Sequence, residues 1–172
     1  DVTPKIWRRF LIAKTASFMD LHEAIQDACG WLNCHLFAFR MRDGKSICMV
    51  DDEDGQPDLE LDAAEVPLVM YFTKKGDHCV YEYDFGDSWQ HDVKIVGVVT
   101  LPDTFERRLL DGARAYPPED CGGIGGYEEC VEVAMGRRKD AERQEWLDGW
   151  MPEAFDLKIV RASFDRVAAK RP

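Results

Sequence analysis

The chain has 172 residues, a length that suits one globular domain with its own hydrophobic core. Its 45% hydrophobic content excludes a disordered chain, and its formal net charge of −11 argues against a broad nucleic-acid surface, which would need clustered Lys and Arg. No run approaches the roughly 20 apolar residues of a membrane helix, and no signal peptide is recognisable, so a cytoplasmic protein without a membrane partner is expected.

The first third of the chain predicts a strand, a helix and a hairpin. Residues 5–13, "KIWRRFLIA", are rich in β-favouring types. Ser17 is placed as an N-cap with Asp20 three positions later, and Gly30 ends the helical pattern that follows. The runs 35–41 and 46–50 flank an Asp-Gly pair, which indicates a β-hairpin.

The middle of the chain alternates loops with β-rich runs. Residues 51–67 are acidic and predict a loop without the register of a calcium site. Residues 68–75 could add a short strand, and a second hairpin is expected to join 79–85 to 88–99. Residues 101–126 are rich in Pro and Gly, so no regular element is predicted there.

The last third is helical in pattern. Helices are predicted over 127–136, 140–150 and 156–170, the last with Asp156 as its cap. The whole predicts one α+β domain over residues 1–172. An antiparallel sheet built from two hairpins plus the N-terminal strand would be packed by one early helix and two to three C-terminal helices.

The second hairpin, "YEYDFGDSWQH" over residues 81–91, is a first candidate site. A two-residue Gly86-Asp87 turn would pair Glu82 with His91 and place both on one face, with Tyr83 on the other. A carboxylate beside a histidine can act as general base and acid, or it can be a structural ion pair between strands.

The second candidate site is the loop "PPEDCGGIGGYEE" over residues 117–129. Its glycines would allow exposed backbone amides to cradle an anion, or would simply allow a rigid loop to pack over the sheet. The thiol pKa of Cys121 is expected to be raised by Glu119 and Asp120, which disfavours a nucleophilic role. Across the chain the six cysteines form no C-x-x-C pair, so thiols are expected rather than disulfides, and a zinc site lacks ligand spacing.

Taken together with "IWRRF", "DLHEAIQDACGW", "HLFAF" and the late "FDL", these two stretches resemble the plasmid pRiA4b ORF-three-like family over nearly the whole chain. Members of that family are sometimes labelled TnpR-type passengers of insertion elements. The resemblance implies an α+β fold but no established activity, and no serine here has the arginine surroundings of a serine resolvase. The family often reads His-Leu-His where this chain reads His35-Leu36-Phe37, which argues against a multi-histidine metal site. The motif positions that the resemblance carries over are His22, Trp31, His35, Tyr83, Asp84, Phe85, Gly86, Asp87, Trp89, His91, Pro118, Glu119, Asp120, Gly122, Gly123 and Tyr127.

Two functions follow from these features. The favoured one is a non-enzymatic binding module of plasmid or mobile-element origin, with no cofactor, that recognises a protein segment or small ligand between the 81–91 hairpin and the 117–127 loop. The alternative is a divalent-metal-dependent hydrolase acting on phosphate esters or nucleic acid, with Mg²⁺ or Mn²⁺ on Asp84, Asp87, His91 and Asp120. The candidate site comprises Glu82, Tyr83, Asp84, Asp87, Trp89, His91, Glu119, Asp120, Cys121, Gly122, Gly123 and Tyr127.

Overall fold

The structure is a computed structural model that describes residues 2–50, 60–101 and 105–167. Along these parts of the chain one strand and one α-helix come first, six strands follow, and three α-helices come last. The strands are β1 Trp7–Ile12, β2 Phe37–Arg40, β3 Ser46–Cys48, β4 Glu60–Asp62, β5 His78–Tyr83, β6 Trp89–Lys94 and β7 Arg107–Ala113. The helices are α1 Phe18–Cys29, α2 Gly123–Ala134, α3 Ala141–Trp146 and α4 Leu157–Phe164. The α+β class, the antiparallel strands, the early helix and the C-terminal helices are confirmed.

The main sheet has the strand order β4-β3-β2-β5-β6. All its neighbouring strands are antiparallel except β3 and β4. Phe39, Ile47 and Tyr81 of this sheet are buried in an apolar core. Phe18 and Leu21 of α1 belong to the same core. The predicted 35–41/46–50 hairpin is present as β2 and β3.

Helix α1 begins as its sequence predicts. The Ser17 side chain accepts a hydrogen bond from the Asp20 N–H, and the Asp20 carboxylate accepts from the Ser17 N–H, which satisfies two donors that a helix N-terminus would leave free. Gly30 takes the left-handed conformation at the C-cap, and its N–H bonds to the Gln26 carbonyl.

A second, two-stranded sheet differs from the prediction. Strand β1 does not join the hairpins but pairs with β7, which lies inside the stretch 101–126 that was predicted to lack regular structure. Helix α4 packs on β7, and Leu109 and Phe164 form a small core with Ala24 and Ala28 of α1. Strand β7 was missed because six of the eight Pro and Gly residues in the stretch 101–126 lie beyond Ala113, and they suggested a loop for the whole stretch. Its pairing partner is also about a hundred positions away.

The boundaries of several other elements also differ from the predicted ones. Residues 68–70 form a 3-10 turn rather than a strand, and α2 starts at Gly123, four residues before its predicted start. The predicted 51–67 loop contains β4, while its residues 51–59 lie outside the described part of the chain. Helices α3 and α4 are shorter than predicted, and residues 168–170 of the last prediction are not described. Among the described residues, no helix has both the length and the apolar character needed to cross a membrane.

The predicted register of the 81–91 hairpin was wrong by one position. Tyr83 faces Trp89, and Tyr81 faces His91, so the connecting turn has five residues instead of two. The Asp84 carbonyl accepts from the Ser88 N–H at 2.6 Å, and both Asp84 and Ser88 have positive φ. The turn bends at these two residues, because Asp tolerates the left-handed region and its carboxylate also caps the Gly86 N–H at 3.0 Å.

Candidate functional site

The segment 31–35 connects α1 to β2 without regular structure and is held by side chains. The Leu32 N–H donates to Glu119 Oε2 at 2.6 Å, the Asn33 N–H to Gln26 Oε1 at 3.1 Å, and the Cys34 N–H to the Tyr83 hydroxyl at 3.1 Å. Because three successive backbone amides are bound in this way, the segment has one well-defined path, and it carries His35 at its end.

Glu119 links this segment to the Pro-Gly loop and to β5. Its Oε1 accepts from the Tyr83 hydroxyl at 2.5 Å and from the Cys34 thiol at 3.5 Å, while its Oε2 takes the Leu32 N–H. Burial and the bond to Glu119 raise the pKa of Tyr83, so the phenol stays protonated and donates. Desolvation and the neighbouring Glu119 also raise the pKa of Cys34.

The hairpin turn and the Pro-Gly loop meet in space. Asp87 Oδ2 accepts from the Gly122 N–H at 3.1 Å, so this amide is already bound and does not await an external anion. Gly123 has a φ of +66°, and a Cβ there would lie 3.0 Å from the Asp87 carbonyl oxygen. The packing interpretation of these two glycines is thereby favoured over the anion cradle.

Three side chains converge where the turn, the loop and segment 31–35 come together. His35 Nε2 lies 2.9 Å from Asp120 Oδ1 and 3.8 Å from Asp84 Oδ2. One ligand atom from each residue lies within 4.8 Å of the others, and Cys34, His35 and Glu119 form an adjacent group of the same kind. The Asp84 side chain is 13% exposed and the Asp120 side chain 67%, so the cluster opens to solvent on the Asp120 side.

The backbone at this cluster is unusual. Asp84 and Asp120 have φ values of 54° and 58°, in the left-handed region that few non-glycine residues adopt. A carboxylate pair on one imidazole nitrogen can hold an imidazolium, or it can share a metal ion with the neutral ring. Imidazole nitrogen and carboxylate oxygen are ligands for Zn²⁺, Mn²⁺ and similar ions, and three protein ligands leave coordination positions open.

His91 and Glu82 do not form the predicted pair. Glu82 Oε2 instead accepts from Arg40 at 2.6 Å, and this guanidinium lowers the pKa of Glu82. The His91 ring stacks on Tyr116 with centroids 5.6 Å apart, and its buried Nδ1 finds no hydrogen-bond partner among the described residues. Burial lowers the pKa of His91 to about 4, so the ring is neutral.

The remaining candidate residues divide between the site and the core. Trp89, Cys121 and Tyr127 are buried. The pKa of Cys121 is raised to about 12 as predicted, but the main cause is burial and not the charges of Glu119 and Asp120. Of the four predicted metal ligands, Asp84 and Asp120 come together, whereas Asp87 caps Gly122 and His91 packs in the core. His35 and Cys34 were missing from the predicted site. His35 was among the motif positions of the resemblance, and that signal could have identified it.

Behind segment 31–35 lies a buried polar chain. His22 Nδ1 and the Tyr81 hydroxyl are 2.8 Å apart, and His22 Nε2 and Asn33 Oδ1 are 2.6 Å apart. Gln26 Nε2 donates to the same Tyr81 hydroxyl at 3.0 Å. Burial lowers the pKa of His22 to about 4, and a neutral ring that donates from Nε2 and accepts at Nδ1 satisfies every member of this chain.

Comparisons with known proteins agree with this fold. A family model described as "Plasmid pRiA4b ORF-3-like protein" matches residues 1–162. The chain is 38% identical over 174 aligned positions to an uncharacterized protein, y4hQ, of Sinorhizobium fredii, covering 98% of this chain and 88% of that protein. A crystal structure of a protein of unknown function, MM3350, from Methanosarcina mazei Go1 superposes with a TM-score of 0.78 and 32% identity, covering 92% of this chain and 91% of that one.

Proposed function

This chain belongs to the plasmid pRiA4b ORF-3-like family, and we propose that it is a ligand-binding module whose centre is a divalent-metal site formed by His35, Asp84 and Asp120. The observation that supports this proposal is the approach of two carboxylates to one imidazole nitrogen, at 2.9 and 3.8 Å. The plasmid in the family's name supports an origin of the chain on a mobile element.

The chemistry of the three groups favours a transition metal. One nitrogen and two oxygen ligands suit Zn²⁺ or Mn²⁺, whereas Mg²⁺ prefers oxygen ligands and retains several waters. Cys34 lies next to the centre and would add a soft ligand for Zn²⁺ once its thiol lost a proton. A bound cation would also offset the mutual repulsion of Asp84 and Asp120.

Open positions on the metal provide the means of binding. Three protein ligands leave at least one position, on the exposed side at Asp120, for an oxygen or nitrogen atom of an incoming protein segment or small molecule. The acidic character of the chain disfavours nucleic acid as that partner, because phosphate backbones attract basic surfaces.

Isothermal titration calorimetry of the metal-free protein with Zn²⁺ and with Mn²⁺ tests the site. We expect one ion per chain in the wild type and a loss of at least about tenfold in affinity in Asp84→Asn and Asp120→Asn, because an amide keeps the shape and removes the charge. Glu145→Gln, an exposed acid on α3, is the matched control and should bind as the wild type does. Wild-type protein that binds neither ion, or an Asp120→Asn protein that binds both unchanged, would refute the proposal.

A metal-dependent hydrolase is the second candidate. It is favoured by the contact between the hairpin turn and the Pro-Gly loop, since Asp87 and Gly122 bond at 3.1 Å, and an open metal position could activate water. Assays with a chromogenic phosphodiester and with single-stranded DNA, each with Mn²⁺ or Zn²⁺, distinguish the two functions. Turnover that disappears in Asp120→Asn would identify an enzyme, and metal binding without turnover supports the binding module.

A further inference from the structure

Strand β6 forms one edge of the main sheet. It pairs with β5 on one side, and no described strand pairs with its other side. Along β6 the side chains alternate: Trp89, His91 and Val93 are buried or half-buried, whereas Gln90, Asp92 and Lys94 are exposed. Asp92 and Lys94 form no ion pair among the described residues and stand side by side on the exposed face of this edge.

The hydrogen-bonding groups of β6 alternate as well. Just beyond β6, the Ile95 N–H donates to the Asp77 carbonyl and the Ile95 carbonyl accepts from Gly76, so this residue bonds toward the β5 side. Because the direction of backbone groups alternates in an antiparallel strand, Gln90, Asp92 and Lys94 direct their N–H and C=O groups outward. The edge therefore offers a row of backbone donors and acceptors to another strand.

An apolar run continues from this edge. Val96, Val98 and Val99 are 57%, 69% and 61% exposed, and Leu101 is 43% exposed. Valines with this much exposure, next to open backbone groups, cost free energy in water. Charged side chains on an edge strand can prevent other strands from pairing with it. Asp92 and Lys94 could have that effect by themselves, but the run from Val96 to Leu101 carries no charge.

We propose that this edge pairs with the same edge of a second copy of the chain, antiparallel about a two-fold axis at Val93. In this register Asp92 of each copy lies directly opposite Lys94 of the other, and Val96 lies opposite Gln90. The Asp92–Lys94 pairs join residues whose backbone groups point outward, as hydrogen-bonded antiparallel pairs require. A two-fold axis at Asp92 or at Lys94 would instead place like charges opposite each other, which is unfavourable.

Charge reversal combined with sedimentation velocity tests both the partner and the register. We expect the wild type to dimerise, and Asp92→Lys or Lys94→Glu alone to weaken the dimer by about tenfold or more, because each creates two like-charge contacts across the axis. The double variant D92K/K94E restores both opposite-charge pairs and should return the dimer to near wild-type affinity. Lys158→Glu makes the same charge change as Lys94→Glu, at an exposed position of α4. It serves as the control and should leave the dimer unchanged.

Three outcomes would overturn the proposal: a wild-type monomer throughout the micromolar range, a dimer that survives both single reversals, or a double variant no better than the singles. Amide hydrogen exchange gives an independent measurement that does not depend on a substitution. The amides of Asp92 and Lys94 should exchange more slowly at high protein concentration than at low, and exchange that is independent of concentration contradicts the pairing.

Discussion

At the residue scale, two of the four histidines are kept neutral by burial. The pKa values of His22 and His91 fall from the ordinary 6.5 to about 4, because the apolar surroundings penalise the charged ring. His22 has polar partners on both nitrogens, whereas His91 Nδ1 has none among the described residues. The two rings therefore differ in what replacement would cost.

This difference leads to a prediction about pH. Between pH 6.5 and pH 4 the unfolded chain binds protons at these histidines that the folded chain does not bind, so stability falls as the pH falls through that window. Between pH 7 and pH 5, each of the two histidines should lower the free energy of unfolding by about 2 kcal/mol. His91→Phe removes the contribution of one histidine. Urea unfolding at pH 7 and pH 5 should therefore show that the variant loses about 2 kcal/mol less unfolding free energy than the wild type does.

The variant also carries its own control. At pH 7, His91→Phe should be close to the wild type in stability, because it keeps an aromatic ring against Tyr116 and removes an unpartnered nitrogen. Equal pH dependence in the two proteins would show that His91 is not held neutral in the fold.

At the element scale, the start of α2 depends on one glycine. A Cβ on Gly126 would lie 1.7 Å from the Cys121 carbonyl oxygen, whereas a Cβ on the adjacent Gly125 would meet no atom within 4 Å. Gly126→Ala should therefore destabilise the protein by about 2–4 kcal/mol, since the loop must move. Gly125→Ala should stabilise it by about 0.5–1 kcal/mol through helix propensity. Chemical denaturation of both variants measures the contrast, and equal effects would contradict this packing.

The same scale shows which parts of the fold can be predicted from the sequence. The start of α1 was predicted correctly because its capping bonds join Ser17 and Asp20, which are three residues apart, so the cap needs no side chain from elsewhere in the fold. Strand β7 was missed because its partner β1 is remote in sequence, and the hairpin register was missed because Asp84 and Ser88, not Gly86, take positive φ. Local signals identify an element, but they do not fix a pairing that depends on tertiary contacts.

Only part of the candidate site was predicted, because local signals in the sequence do not show which distant residues the fold brings together. Asp84 and Asp120 belong to the two stretches that the sequence singles out, and the fold brings them together. His35 lies 85 positions before Asp120, at the start of a predicted strand, and no spacing rule connects them. Its position depends on the Leu32, Asn33 and Cys34 amides, each of which bonds to a side chain from elsewhere in the fold.

At the scale of the whole molecule, α1 joins two cores. Leu21 and Ile25 face the main sheet, whereas Ala24 and Ala28 pack with Leu109 and Phe164 of the small sheet and α4. Phe164→Ala should cost about 3–5 kcal/mol, because Phe164 is fully buried. We expect thermal unfolding of this variant to remain a single transition at lower temperature, since α1 couples the cores. Two separated transitions in calorimetry would show that the cores unfold independently.

The small sheet also brings the first strand of the fold next to its last described helix. Phe10 of β1 and Phe164 of α4 are in ring contact, with centroids 5.2 Å apart, although 154 positions separate them in the chain. The first strand and the last described helix therefore lie next to each other. A circularly permuted chain that connects α4 to β1 through a linker and begins in the 42–45 turn would retain every strand pairing of the small sheet. Such a permutant would place new termini on the main sheet and leave His35, Asp84 and Asp120 undisturbed.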